Sequence, residues 1–118
     1  MKLYVDDIRP APEGWQQART VTEAIRFLEM FGSEVDEISL DHDISYAVEV
    51  AGTQRPFPSP ENFTAVARYI KVFDNVPAPK VTIHSANPVG AEELRKILAY
   101  LNPVVSPASR VNRLESEV

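Results

Sequence analysis

Apolar residues recur along this chain in two rhythms, at alternate positions in short runs and at helical spacing in longer ones, and the two kinds of run alternate. Leu3-Tyr4-Val5 opens the chain as a strand over residues 1–6. Ile8 to Gly14, with two prolines, reads as a loop into a short second strand near Trp15 to Ala18. Thr20 and Glu23 then have the spacing of a capping box, in which the hydroxyl accepts from first-turn amides while the carboxylate reaches back. Val21, Ala24, Ile25 and Leu28 follow on one helical face, and Gly32 is placed to end that helix.

Val35, Ile38 and Leu40 predict a third strand. The stretch from Ile44 to Pro58 contains Gly52, Pro56 and Pro58 and is longer than most loops of compact domains, so it is expected to be irregular, a lid or a disordered segment. Ser59-Pro60 predicts a helix start, with Phe63, Val66, Ala67 and Ile70 as its apolar stripe. Lys80 to Ile83 predicts another strand. Asn87-Pro88 is a cap followed by a first-turn proline, with Glu92 and Glu93 near the positive end of the helix and Leu94, Ile97, Leu98 and Leu101 as its buried face. Val104-Val105, between Pro103 and Pro107, suits a short edge strand. Trp15 and Phe31 are expected in the core. From about Ser109 the chain reads as a polar tail, and no internal repeat or low-complexity segment interrupts it.

Strands alternating with helices predict a single α/β domain over residues 1–108, with 109–118 as the tail. The expected architecture is a three-layer αβα sandwich: a central parallel sheet of four to five strands, right-handed crossovers, and helices on both faces. The length of 118 residues suits one domain with its own core. A formal charge of -5 argues against a generic DNA-binding surface while leaving room for one phosphorylated ligand. The chain has no cysteine, which removes thiolate chemistry, disulfides and Cys-based zinc sites. No apolar stretch has the length of a signal peptide or membrane span, so a cytoplasmic protein without a membrane partner is expected.

The candidate chemistry gathers where strands end. Asp6-Asp7 follows the first strand, Asp41-His42-Asp43 the third, and His84-Ser85-Ala86-Asn87 the strand at 80–83. In a parallel sheet these strand ends share one edge, where ligands bind near the point at which strand order reverses. Clustered carboxylates stay ionised beside a cation, and Mg²⁺ or Mn²⁺ suits oxygen ligands together with phosphate. Asp6, Asp7, Asp41 and Asp43 are therefore the candidate metal ligands. Ser85 is a candidate donor to a phosphoryl oxygen, the amides from Val89 through Gly90 to Ala91 can cradle an anion, and His84 can move a proton near neutral pH. Arg9 can grip phosphate or pair with an acid of the cluster. Asn87 and His42 complete the candidate substrate-binding set.

The segments Tyr4-Val5-Asp6-Asp7-Ile8-Arg9-Pro10, Ile38-Ser39-Leu40-Asp41-His42-Asp43 and His84-Ser85-Ala86-Asn87-Pro88-Val89-Gly90 resemble the receiver-like family that processes cyclic phosphates, a short relative of response-regulator receiver domains. The resemblance runs from about Met1 to Leu101 and implies receiver-like (flavodoxin-like) topology. It matches Asp6 and Asp7 to the metal-binding pair of receivers, Asp41 to the phosphate-accepting aspartate, and Ser85-Ala86 to the Ser/Thr-Ala pair. Two departures stand out. Receivers carry a lysine after the fifth strand, whereas none follows Val104-Val105 here and Arg110 is a candidate substitute; and in place of the family's Gly-rich turn and Tyr-Asp there is the insertion Ile44 to Pro60 followed by Glu61-Asn62-Phe63.

The function this implies is a metal-dependent phosphoesterase acting on a cyclic phosphate, with a small phosphorylated ligand or an RNA end as its partner. Asp41, His84 and Ser85 would be its catalytic groups. The alternatives are a signalling receiver phosphorylated on Asp41 and a catalytically silent binding module.

Overall fold

In a computed structural model of the chain, which describes residues 1–73 and 75–106, five strands form one parallel sheet with three helices against it. The order along the chain is β1 (Lys2–Val5), β2 (Gln16–Ala18), α1 (Val21–Phe31), a 3₁₀ turn (Gly32–Glu34), β3 (Glu37–Leu40), β4 (Asp43–Val50), β5 (Thr53–Asn62), α2 (Thr64–Val72), β6 (Lys80–Ile83), α3 (Pro88–Ile97), a second 3₁₀ turn (Ala99–Leu101) and β7 (Val104–Val105). The sheet order is β2-β1-β3-β6-β7, all parallel, and β4 with β5 makes a separate antiparallel ribbon. Without that ribbon the order is that of a receiver, reversing direction between β1 and β3. The receiver-like α/β fold expected from the sequence is the one adopted. The expected tail, 109–118, and Arg110 lie outside the described residues.

The strands carry the alternation that places the core. Leu3, Ile38 and Val81 share one rung of the ladder and Val5, Leu40 and Ile83 the rung two residues on, all six essentially inaccessible to solvent. From β2 onward every crossover moves the same way across the sheet, so right-handed connections put α1, α2 and α3 side by side on this face. They bury Ala24 and Leu28, Val66, Ala67 and Ile70, and Ala91 and Leu94 against it. Among the described residues the helix layer expected on the second face is absent. β1 reaches β2 through a loop, because Pro10, Pro12 and Gly14 deny that short connection a helix. On that face Trp15 meets the Tyr4 ring edge-on at 6.1 Å beneath the Lys2 ammonium, and is half-buried rather than a core residue, as is Phe31.

The caps behave nearly as their residues predict. Thr20 Oγ1 accepts from Glu23 N at 3.0 Å, while the Glu23 carboxylate reaches one residue beyond the cap, to Arg19 N at 3.3 Å. Asn87 Oδ1 accepts from both Val89 N and Gly90 N at 3.1 Å. Helix α2 begins at Thr64, not near Ser59-Pro60, because residues up to Asn62 continue β5, and Asn62 Oδ1 accepts from Thr64 N at 3.0 Å. The stretch expected to be irregular is thus a ribbon, closed by a two-residue turn at Ala51 (φ 52°) and Gly52 (φ 78°). Its prolines are accommodated because among the described residues neither strand has a second neighbour to receive the missing N–H.

Gly32 caps the end of α1 as expected, with right-handed rather than left-handed angles, and the reason for a glycine there is space. A Cβ there would stand 2.7 Å from the Asn75 carbonyl oxygen, a backbone atom, and 3.0 Å from Val76 Cγ2. Gly32→Ala is expected to destabilise the protein by about 2 kcal/mol in urea denaturation; an unchanged midpoint would show that the 75–76 segment yields freely. No helix among the described residues is long and apolar enough to cross a membrane.

Candidate functional site

The ladder continues one residue past the strands. Asp6 N donates to Ala18 O, Asp41 N to Val5 O and His84 N to Leu40 O, each within 3.0 Å, so Asp6, Asp41 and His84 form one row on the face away from the helices. The row crosses the point where strand order reverses. Two acids and a histidine far apart in sequence become neighbours through register alone.

Asp6 is 1% exposed, with hydrogen bonds to both of its oxygens. Its Oδ1 accepts from Ile8 N and Arg9 N at 2.8 Å, which folds the loop after β1 around the carboxylate. Its Oδ2 lies 2.9 Å from His84 Nε2. The other imidazole nitrogen, Nδ1, is 2.6 Å from Ser39 Oγ, and the ring stacks on Tyr4 with centroids 4.5 Å apart and planes 7° from parallel. Burial alone would raise the Asp6 pKa, but the hydrogen bonds from His84 and from the Arg9 and Ile8 amides outweigh it and hold the carboxyl below its ordinary value. Gln17 braces the loop from β2, its Nε2 donating to Asp6 O at 2.8 Å and Arg9 O at 3.1 Å.

Asp41 is perturbed in the other direction. Burial and the neighbouring Asp6 charge push its pKa up to about 6, against the help of the His42 amide, which donates to Oδ1 at 2.8 Å. Asp7 is half-buried, and its Oδ2 accepts from Ser45 N at 2.6 Å, tying the root of the ribbon to the end of β1. Asp6, Asp7 and Asp41 each offer an oxygen within 4.8 Å of the others. Three oxygen donors, one with its ionised form disfavoured by a like charge, make a set that a small divalent cation such as Mg²⁺ or Mn²⁺ would relieve.

A cavity of about 290 Å³ opens over this trio, lined by Asp6, Asp7, Ile8, Arg9, Asp41, Asp43, Ser45 and Ala86. A family model described as the Cyclic-phosphate processing Receiver domain matches residues 1–100. The chain belongs to that family. No curated protein and no solved structure matches it.

Within this cyclic-phosphate-processing receiver domain the residues singled out from sequence separate into two groups. Arg9, Asp6, Asp7, Asp41 and Asp43 reach the cavity wall, although Asp43 stands outside the converging trio. His84, Ser85, Asn87, Gly90 and His42 do not line it. His84 is 6% exposed with both nitrogens engaged below Asp6. Ser85 is buried, its Oγ accepting from Asn87 N at 3.1 Å, so Ala86 is the residue that lines the cavity beyond β6. The first-turn amides of Val89 and Gly90, expected to cradle an anion, are satisfied by Asn87 Oδ1. Gly90 serves packing: a Cβ there would fall 2.4 Å from the His42 ring.

Four contributors went unnoticed in the sequence: Tyr4, Ser39, Gln17 and Ser45. Two carried a readable signal. Strand alternation puts Tyr4 on the face of Asp6 and Ser39 on the face of Asp41, and a serine inside an otherwise apolar strand is a polar group seeking a partner. Gln17 and Ser45 act through loop and ribbon geometry that has no such period.

Proposed function

We propose that this domain is a metal-dependent phosphoesterase that opens cyclic phosphates, with a phosphorylated nucleotide or RNA end as substrate and the cytoplasm as its setting. The observation that supports this most is the convergence of Asp6, Asp7 and Asp41 under one cavity in a member of the cyclic-phosphate-processing family. The three carboxylates would hold Mg²⁺ or Mn²⁺, which when bound polarises a phosphoryl group and neutralises charge developing on it. Arg9 stands on the same wall, and its planar guanidinium suits the non-bridging oxygens. The Asp6 hydrogen bonds to the Ile8 and Arg9 amides fix the loop that carries this arginine. His84 acts through Asp6, holding that carboxylate in one orientation, and Ser85 shapes the turn into α3.

A phosphate-accepting receiver is the weaker reading. Receivers use a lysine beyond the last strand to steady the acyl phosphate, and here Ser106 follows Val105, its amide donating to Ile83 O at 2.7 Å.

Titration with Mn²⁺ is expected to raise the thermal midpoint by about 10 °C at a hundredfold excess over Kd. In the same buffer a panel of nucleoside 2′,3′-cyclic phosphates is expected to show ring opening that a chelator stops. Cation binding with no product across the panel would favour the receiver reading, and absence of both would leave a silent module.

A further inference from the structure

We infer that His42 is a positioning residue that fixes the Asp43 carboxylate on the cavity wall, where Asp43 accepts a hydroxyl of the phosphorylated ligand. This rests on the cyclic-phosphate reading above and adds a substrate feature to it: a free sugar hydroxyl outside the phosphate ring, which in a nucleoside 2′,3′-cyclic phosphate is the 5′-hydroxyl.

Asp43 lines the cavity but is not among the three acids whose oxygens converge. Its Oδ1 is held from two sides. His42 Nδ1 lies 2.7 Å away, and Asn87 Nδ2 donates to it at 3.2 Å. The direction of the Asn87 amide is not arbitrary, since its Oδ1 is committed to the Val89 and Gly90 amides of α3 and the Nδ2 end must face Asp43. With Oδ1 occupied twice, Oδ2 remains for a donor from the ligand. Arg9 shares the wall, so a sugar phosphate can place its phosphate on the guanidinium and a hydroxyl on Asp43.

The imidazole itself is locked. It is 7% exposed and lies on the bare Cα of Gly90, where a Cβ would come within 2.4 Å of both Cγ and Nδ1. Its backbone is pinned on both sides, His42 N donating to Asp41 Oδ1 at 2.8 Å and His42 O accepting from Phe63 N at 2.9 Å. Nε2 is buried without a hydrogen-bond partner, the nearest acid oxygen being Glu93 Oε2 at 3.6 Å. An unpaired buried ring nitrogen is unfavourable. The fold accepts it in an arrangement that keeps Nδ1 on Asp43. A site built to hydrogen-bond a hydroxyl discriminates strongly against analogues that lack one, because its own polar group is then left unpaired.

The test has two arms. Long-range ¹H–¹⁵N correlation spectra of the wild-type protein read which ring nitrogens of His42 carry a proton. Protonated Nδ1 is expected, and a bare Nδ1 overturns the inference. Kinetics with Mn²⁺ and nucleoside 2′,3′-cyclic phosphates then compare His42→Phe, which keeps a ring over Gly90 without a donor, with His42→Asn, which keeps a donor near the Nδ1 position. The phenylalanine variant is expected to raise KM about tenfold with kcat and Mn²⁺ affinity held, and the asparagine variant to recover most of that loss. The reverse ranking, with phenylalanine tolerated and asparagine not, makes the ring a packing element and overturns the inference. A wild-type protein that opens none of the substrates sinks the hydrolase reading, and the tautomer then decides the His42–Asp43 assignment alone.

Discussion

The Asp41→Asn protein is expected to be more stable than wild type in metal-free buffer at pH 7.5, by about 3 kcal/mol, and to have lost its affinity for divalent cations. Asp41 is half-buried beside the Asp6 charge, and the two effects push its pKa from 3.8 to about 6. The folded protein therefore holds the Asp41 proton more tightly than the unfolded chain does. As pH rises through the window between those two values the folded state loses ground, and the full penalty is in place above pH 6. Removing the charge by amide substitution removes the penalty. Mn²⁺ should reverse the order, stabilising wild type and leaving the variant where it was. Urea denaturation with chelator and with Mn²⁺ checks both halves. A wild type that remains the more stable form in chelator would mean that Asp41 is not strained by its neighbour.

His84→Ala carries the opposite expectation: a loss of about 3 kcal/mol together with weakened cation binding, although the imidazole lies outside the cavity wall. The substitution leaves Asp6 Oδ2 and Ser39 Oγ without their buried partner and uncovers the Tyr4 face. It also frees the burial effect on Asp6, which the histidine does most to oppose. A depressed carboxyl pKa contributes stability that is present above the unfolded value and fades as pH falls through the folded one. The gap between variant and wild type should accordingly be widest near pH 7 and shrink in acid. His84→Gln, which can still donate to Asp6, is expected to recover part of both losses. Mn²⁺ isotherms indistinguishable from wild type in the alanine variant would remove the positioning role.

Much of the fold was legible because local chemistry and global architecture agree at the places that matter. The Asn87 cap with Pro88, the Thr20 hydroxyl on Glu23 N, and the alternation in Leu3-Tyr4-Val5 and Ile38-Ser39-Leu40 each encode their element in neighbouring residues. The converging acids were legible for a related reason, since a strand end in a parallel sheet is a position readable from one segment. What resisted reading depends on pairing between distant segments. Pro56 and Pro58 look like loop residues, and Ser59-Pro60 like a helix start, until β5 is seen to run through all of them beside β4. His84 and Ser85 sit in a polar run that reads as a reactive cluster, yet both are buried, because His84 faces Asp6 and Ser39 while Ser85 closes the turn to Asn87. Gly90 reads as one of the helix-start amides that cradle an anion; its cause is a ring contributed by another strand end.

The ribbon leaves the core at Asp43 and comes back at Asn62, and those two residues face one another in the ladder. Immediately inside that closure Phe63 N bonds His42 O, so to the remainder of the fold the entire excursion spans almost no distance. Its length is consequently a free variable. Paired residues can be added or removed at the Ala51-Gly52 tip without changing the separation of β3 from α2, and loop-closure entropy grows slowly with such additions. Among the described residues the ribbon meets the converging acids at its root, where Ser45 N donates to Asp7. The outer ribbon is therefore a natural graft point, a place to append a reporter or a second module while the cavity beneath keeps its shape.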